Sequence, residues 1–261
     1  MIRNVILGYE RGKKQSLYGY RGYIATSEQQ YNYVSAHFPA LKDKFITGSL
    51  SYFLKFSKQS NPTRLKIVIP GTVDVEVRDY ETVYEALKRQ THLSTFELIL
   101  LGKIKNKKAA KIVQKFLELR EHHHMSLITF DDTIKTEDYN HYLFNADLFI
   151  IPNRQIIRDG ISYSVIGKSS ISGTVADAFL YAQPCLVPEY LIIPSILSQI
   201  SETYNGIEEL AELLKNWKQK NHLEKVLSIR KKIEWEQYEH QHIGRVFAED
   251  IKNLINRRLG N

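Results

Sequence analysis

The segment with the most chemical content is a run of small, hydroxyl-bearing and basic residues directly before a predicted helix. Its members are Gly167, Lys168, Ser169, Ser172, Gly173 and Thr174. The first turn of a helix carries unpaired N–H groups and a partial positive charge, so it attracts phosphate. Glycine lets the backbone approach closely, and the lysine and the hydroxyls could add direct bonds. We therefore expect a phosphate-binding loop, although a flexible loop with Ser/Thr capping would give the same pattern.

Two neighbouring features bear on that expectation. Gly167-Lys168-Ser169 matches the end of a Walker A motif, but the motif also needs glycine at position 162, which is Ser162. Asp177 lies one turn into the predicted helix, where a carboxylate could accept hydrogen bonds from ribose hydroxyls. The alternative for Asp177 is an exposed helical aspartate near the positive end of the helix dipole.

The rest of the chain predicts the elements that would position these residues. Apolar, β-branched runs predict buried strands at 65–70, 96–101 and 184–188. Further strands are predicted at 126–130 and 147–152, with a short sixth strand at 202–204. Helical spacing predicts helices at 80–89, 107–120, 136–145 and 173–182, a long loop up to residue 172, and a helical tail to residue 259. This alternation predicts an α/β fold, in which a Rossmann-like parallel sheet is covered by helices on both faces.

Ligands of open parallel sheets bind beyond the carboxyl ends of the strands. The residues that follow the predicted strands are therefore candidates for a binding site. Gly71, Thr72 and Arg78 follow the first strand, Lys103 the second, and Thr133 and Ile134 the third. We expect them to meet the start of the 173–182 helix at one edge of the sheet.

Composition and charge exclude several classes of protein. The 261 residues are 43% hydrophobic and 25% charged, which excludes disordered, collagen-like and disulfide-scaffold chains, and a single cysteine excludes an internal disulfide. No apolar run reaches the ~18–20 residues of a membrane span, and the start lacks the pattern of a secretory signal, so we expect a cytoplasmic protein. His122, His123 and His124 cannot share one helical face, so no metal site is expected.

Residues 1–60 carry most of the excess positive charge. They hold nine Lys and Arg against three Asp and Glu, within a chain whose formal net charge is +7, and they are rich in tyrosine. Basic segments attract anionic partners, so this pattern is consistent with peripheral contact to a membrane or with nucleic acid. A solvated face with half-buried tyrosines would give the same composition.

Four segments, in order and spacing, resemble the C-terminal nucleotide-binding domain of GT-B glycosyltransferases. IVIPGTVDVEVRDYETVYEALK resembles its first strand–loop–helix, and FELILLGK resembles the next strand with its terminal glycine. SLITFDDTIKTEDYNHYLFNADLFIIP resembles the base-binding segment and the strand after it. SSISGTVADAFLYAQPCLVP resembles the Glu-x7-Glu segment of the retaining, group 1-like members. The resemblance covers about residues 64–190.

The resemblance implies roles for individual residues. Residues 61–261 would form the nucleotide-sugar-binding domain with its C-terminal helices, and residues 1–60 a partial, acceptor-side N-terminal segment. The donor diphosphate would be bound by Arg78, Lys168, Ser172, Gly173, Thr174, Gly71 and Thr72, with weaker contributions from Lys103 and Ser169. Asp177 would bind the ribose, and Thr133 and Ile134 would flank the base. Neither a metal nor another cofactor is implied, and no catalytic base can be named.

The sequence departs from the family pattern in three ways. Ser169 stands at the first acidic position of the Glu-x7-Glu motif, and Thr72 stands where many members carry arginine, which leaves Arg78 as the expected diphosphate cation. About sixty residues precede the linker, where a complete N-terminal domain needs roughly a hundred or more. The chain would thus be a fragment, or be completed by a partner chain or oligomer.

The resemblance leaves several functions open. It implies transfer of a sugar from a nucleotide-diphosphate donor to a polysaccharide or lipid-linked acceptor, as in polysaccharide biosynthesis. The first alternative is a non-catalytic subunit that retains the fold and binds the nucleotide-sugar or a partner. A sugar-nucleotide epimerase and a nucleic-acid binder are further alternatives, and the nucleic-acid binder is the least favoured.

Overall fold

The computed structural model describes residues 23–25, 28–47, 52–56, 64–159, 162–166 and 172–259. The strands are β1 (Tyr23–Ala25), β2 (Phe45–Thr47), β3 (Leu65–Pro70), β4 (Phe96–Lys103), β5 (Ser126–Phe130), β6 (Leu148–Ile150), β7 (Ile156–Asp159), β8 (Ser162–Val165), β9 (Cys185–Pro188) and β10 (Glu202–Tyr204). The helices are α1 (Glu28–His37), α2 (Tyr80–Lys88), α3 (Lys107–His123), α4 (Thr136–Phe144), α5 (Gly173–Leu180), α6 (Ser195–Ser198), α7 (Ile207–Trp217), α8 (Lys220–Lys232) and α9 (His240–Leu259).

The centre of the fold is a six-stranded sheet in the order β10-β9-β6-β3-β4-β5, with every pairing parallel. β3 and β4 pair along their length, from Leu65 opposite Phe96 to Pro70 opposite Leu101. The strand order reverses at β3, so the loop after β3 lies where open α/β sheets bind ligands. The predicted α/β fold with a Rossmann-like parallel sheet is confirmed.

Burial explains why these segments form strands and helices. Ile67, Val68 and Ile69 in the centre of β3 are all inaccessible to solvent, as expected for a strand covered on both faces. α3 instead buries residues at helical spacing, including Ile112 and Phe116. Burying one such side chain stabilises the fold by roughly 1.5–3 kcal/mol, so the apolar pattern dominates weaker local preferences.

The long loop predicted before residue 172 contains a β-hairpin, so that part of the prediction is wrong. β7 and β8 pair antiparallel, with Ile156 opposite Val165 and Arg158 opposite Tyr163. These strands have four residues each and mix apolar with polar positions, so they lack the continuous apolar run that marked the other strands. β4 also extends two residues further than predicted, to Lys103.

The chain divides into two compact units. The smaller contains the described parts of residues 1–54, 155–172 and 234–261, and the larger contains those of 55–154 and 173–233. The sequence predicted a single boundary between residues 60 and 61, whereas the C-terminal segment lies with the smaller unit. One reason is that Phe53 N–H donates to the carbonyl of Tyr238 at 2.8 Å and the Phe53 ring lies 5.4 Å from that of Trp235.

The smaller unit has its own strand pair and apolar cluster. β1 and β2 pair parallel, with Tyr23 opposite Phe45 and Ala25 opposite Thr47. Val34 of α1 is buried together with Ala25 and Phe45. β2 was not predicted from the sequence. Within the described residues, no helix combines the length and apolarity needed to cross a membrane.

Candidate functional site

The loop after β3 is held in shape by Asp74, which is buried. Its backbone carbonyl accepts from the N–H groups of Val77 and Arg78 at 3.2 and 2.9 Å. One carboxylate oxygen accepts from Glu76 N–H at 3.0 Å, and the other accepts from Lys105 Nζ at 2.7 Å. A buried carboxylate with charged and backbone donors is stable in its site. Asp74 therefore fixes the turn that leads to Arg78.

The backbones of β3 and β4 approach each other closely at two glycines. Gly71 N–H donates to the Leu101 carbonyl at 2.9 Å, so the loop continues along β4. A Cβ atom on Gly102 would lie 2.5 Å from the carbonyl carbon and oxygen of Gly71 and 2.6 Å from Thr72 N. Gly71 itself has φ +87°, a conformation that favours glycine. The turn beyond β3 thus requires glycine at both positions.

Arg78 lies buried beside this turn, with 9% of its surface exposed. Its Nη1 donates to the Thr72 carbonyl at 2.7 Å. A methyl group on Gly71 would collide with Arg78 Nη2 and would lie 3.6 Å from Thr174 Cγ2. Gly71, Thr72, Arg78 and Thr174 therefore meet at the carboxyl end of β3, as the sequence predicted.

One buried polar atom beside this turn, Nε of Arg78, has no hydrogen-bond partner within the described part of the chain. The buried hydroxyl of Tyr80 lies close enough to Arg78 for the guanidinium to affect its pKa. Burial raises the pKa of Tyr80 to about 12, against a smaller opposing effect of the Arg78 charge. An unsatisfied buried polar group costs about 1–3 kcal/mol. Nε of Arg78 is therefore a buried donor that the described residues leave unpaired.

Asp177 on α5 is bound by Tyr139 on α4. The Tyr139 hydroxyl donates to Asp177 Oδ2 at 2.7 Å. Burial raises the pKa of Asp177, while the Tyr139 bond and the Arg78 charge lower it by less. The pKa of Tyr139 is raised by burial and then by the Asp177 charge, and is lowered by Arg78. Arg78, Tyr139 and Asp177 therefore share one electrostatic environment.

The raised pKa of Asp177 predicts that its ionised form destabilises the fold. The folded state binds this proton more tightly than the unfolded state, so the stabilisation is complete below the ordinary pKa of 3.8 and is lost as pH rises through the folded pKa. D177N keeps an oxygen for Tyr139 and removes the charge. At pH 7 we expect D177N to raise Tm by about 2–4 °C, the shift that 1 kcal/mol gives in a domain of this size.

Differential scanning fluorimetry of the ligand-free protein at pH 7 and at about pH 4 checks this, because the gain should shrink as Asp177 protonates. An equal or lower Tm for D177N at pH 7 would contradict the expected cost of the buried charge.

Thr174 lies in the first turn of α5 and places the start of this helix beside Gly71 and Arg78. Gly173 is the first helical residue and is exposed, and a Cβ atom there would meet none of the described residues within 4 Å. Thr174 is 4% exposed, and Ser172, which precedes the helix, is 7% exposed. The first N–H groups of a helix suit an anion.

The other residues predicted for this site form no hydrogen bond to Arg78 within the described part of the chain. Lys103 ends β4, is exposed, and accepts the Val73 N–H at its carbonyl with a distance of 3.0 Å. Thr133 is exposed and Ile134 half-buried in the segment between β5 and α4. Lys168 and Ser169 lie outside the described residues. In the described ranges, no three His, Cys, Asp or Glu side chains are grouped to hold a metal ion.

The sequence did not identify two residues of this cluster. Asp74 was not singled out, although an aspartate in the turn after a strand often accepts from the backbone N–H two residues on, as it does here from Glu76. Tyr139 was not noted at all, because 38 positions separate it from Asp177. Its place one turn into the helix after the predicted base-binding loop was the available signal.

Comparison with known proteins gave matches in structure alone. No model of a protein family matches the sequence, and no curated protein matches it. HepE of Anabaena, solved in complex with UDP and glucose, has a TM-score of 0.65 at 9% identity, over 96% of this chain and 70% of that chain. The structure of accessory secretory proteins 1, 2 and 3 of Streptococcus pneumoniae gives 0.60 at 12% identity, over 97% and 47%. The lipopolysaccharide outer core galactosyltransferase WaaB gives 0.58 at 12% identity, over 95% and 66%.

These matches show a shared fold. The chain spans from 47% to 70% of the length of the three structures, while they cover nearly all of it.

Proposed function

Because this chain has the GT-B fold of glycosyltransferases, we propose that it binds a nucleotide-sugar through the nucleoside diphosphate and transfers the sugar to a polysaccharide or lipid-linked acceptor. The observation that carries the proposal is Arg78. It is a buried guanidinium at the carboxyl end of the central strand β3, next to Gly71 and Thr174, with one donor unpartnered among the described residues.

Sugar transfer needs stabilisation of the diphosphate as the bond to the sugar breaks. Negative charge grows on the leaving group, and donors that are already fixed in position stabilise it with little reorganisation. Arg78 supplies a fixed cation, because Asp74 shapes its turn and the Thr72 carbonyl holds Nη1 at 2.7 Å. The first N–H groups of α5, at Gly173 and Thr174, supply further donors. We propose that these groups act without a metal ion.

The other end of the nucleotide would lie toward Asp177. Its carboxylate can accept hydrogen bonds from ribose hydroxyls, and Thr133 and Ile134 would flank the base. Lys168, Ser169 and Ser172 precede α5 in the sequence and remain proposed diphosphate ligands, as does Lys103 at the end of β4. The complex of HepE with UDP and glucose supports a nucleotide ligand for this fold.

A non-catalytic subunit is the second candidate, and two observations favour it. Ser169 replaces the first acidic residue of the motif that contacts the donor sugar in retaining members. The accessory secretory proteins, which share the fold, were solved as three proteins together. In this reading the chain retains nucleotide or partner binding and the basic segment 1–60 contacts a partner chain, a membrane or an anionic acceptor.

Calorimetric titration with UDP, GDP, ADP, thymidine diphosphate and cytidine monophosphate tests the donor site. We expect saturable binding of one diphosphate at ordinary salt and none of the monophosphate. Release of free nucleotide from the matching nucleotide-sugar, in the presence of acceptor extracts, then separates the transferase from the binding subunit. Absence of binding to every diphosphate would contradict both candidates as nucleotide-binding proteins.

A further inference from the structure

Tyr139 donates a hydrogen bond to one oxygen of Asp177, the carboxylate that is proposed to bind ribose. The hydroxyl donates to Asp177 Oδ2 at 2.7 Å, from a helix that follows a different strand. No other hydrogen bond to the Asp177 carboxylate occurs among the described residues. One carboxylate oxygen is therefore held by the protein, and the other remains able to accept from a ligand.

The bond restricts the orientation of the carboxylate. The terminal torsion of an aspartate side chain is broad, so a free carboxylate samples many orientations. A single bond to a half-buried tyrosine on another helix fixes one oxygen and, since the group is planar, the direction of the second. Preorganisation of this kind increases affinity because the ligand does not have to order the group on binding.

Arg78 links this pair to the anion site. The Arg78 charge acts on both the Tyr139 hydroxyl and the Asp177 carboxylate. A Cβ atom on Gly71 would meet both Arg78 Nη2 and Thr174 Cγ2, and Thr174 lies three positions before Asp177 on α5. Residues three positions apart are neighbours on a helix surface, so the Tyr139–Asp177 pair lies one helical turn from the contact between Arg78 and Thr174.

We propose that Tyr139 is a positioning residue that aims Asp177 at the ribose hydroxyls and so selects ribonucleotides over deoxyribonucleotides. This inference rests on the proposed nucleotide site. A vicinal diol gives two donors to a carboxylate, whereas a deoxyribose offers one. A site that hydrogen-bonds a hydroxyl discriminates against the analogue without it, because its polar group is then left unpaired.

The test compares wild type with Y139F, which keeps the ring and removes the hydroxyl. Calorimetry uses the diphosphate preferred by wild type together with its 2′-deoxy and 3′-deoxy forms. We expect wild type to prefer the ribonucleotide at least about tenfold, and Y139F to lose most of that preference through weaker ribonucleotide binding, with deoxynucleotide affinity nearly unchanged. The matched control is Y142F, one turn further along α4, whose ring contacts Phe130 and His141 instead.

The remaining outcomes separate this inference from the proposed function. An unchanged preference in Y139F, or an equal loss for ribo- and deoxynucleotides, would overturn the positioning role and leave the nucleotide site intact. Preference of the wild type for thymidine diphosphate, whose sugar lacks the 2′-hydroxyl, would likewise overturn the positioning role and leave the nucleotide site intact. A wild type that binds no nucleotide would overturn the proposed function and this inference together.

Discussion

Replacing Arg78 with alanine is expected to weaken binding of the preferred nucleoside diphosphate at least about 100-fold, equivalent to roughly 2.7 kcal/mol. The guanidinium is a buried cation that is already ordered by the Thr72 carbonyl, so its bonds to phosphate oxygens form without loss of side-chain freedom. A lysine ammonium on its flexible stem cannot supply an equally fixed fork of donors. The loss should therefore exceed that from any other single proposed ligand.

Folding of the R78A variant should be nearly unaffected. The variant loses one hydrogen bond to a backbone carbonyl, worth about 0.5–1.5 kcal/mol, but it also removes a buried Nε donor that has no partner in the described part of the protein. The lost hydrogen bond lowers the free energy of unfolding, whereas removal of the unpaired donor raises it. Calorimetric titration and thermal unfolding of the same preparation separate a binding defect from a folding defect.

Arg89 provides the matched control. It directly follows the helix that begins at Tyr80, and its side chain is 46% exposed and ion-paired with Glu208 at 2.5 Å. Exposed ion pairs contribute about 0–1 kcal/mol, so R89A should change neither nucleotide affinity nor Tm by much. Equal affinities in R78A and wild type would show that Arg78 does not contact the diphosphate.

The sequence predicted the central sheet well because burial on both faces leaves a simple pattern. Residues 65–70 were predicted with the same bounds as β3, which is buried at every position but one. A strand in the middle of a covered sheet must be apolar at nearly every position, so few other structures compete. The hairpin of β7 and β8 and the short strand β2 carry no such constraint, and they were not predicted.

Part of the candidate site was predictable because it follows from topology. The carboxyl ends of parallel strands share one edge, so residues placed just after the strands had to converge. Arg78, Gly71 and Thr174 meet in this way. The contact between Tyr139 and Asp177 could not be predicted, because it depends on how two helices from different parts of the chain are positioned.

The reason for glycine at position 102 also could not be predicted from the sequence. The sequence marked it as the glycine that ends a strand, which suggests a turn. The structure shows that β4 continues through it and that the glycine is required by the backbone of the neighbouring loop. Only the packing distance distinguishes these two reasons, and a local pattern contains no information about it.

Replacing Gly102 with alanine is therefore expected to destabilise the fold strongly. The new Cβ atom would lie 2.5 Å from Gly71 C and O and 2.6 Å from Thr72 N, all of them backbone atoms that cannot move aside as a flexible side chain can. Overpacking of a well-packed site costs about 1–3 kcal/mol, and we expect the upper end, which corresponds to a fall in Tm of about 6–12 °C. Scanning calorimetry measures this shift.

The same change should also weaken nucleotide binding, since the displaced segment includes the Thr72 carbonyl that holds Arg78. Gly244 is the control, because it lies inside α9 and a Cβ atom there would meet nothing within 4 Å. G244A should stabilise the chain by roughly 0.5–1 kcal/mol through its higher helix propensity, with nucleotide affinity unchanged. If G102A and G244A had the same Tm, the backbone at Gly71 would have to relax freely. The turn that positions Arg78 would then not be rigid, and preorganisation could not explain its expected contribution to binding.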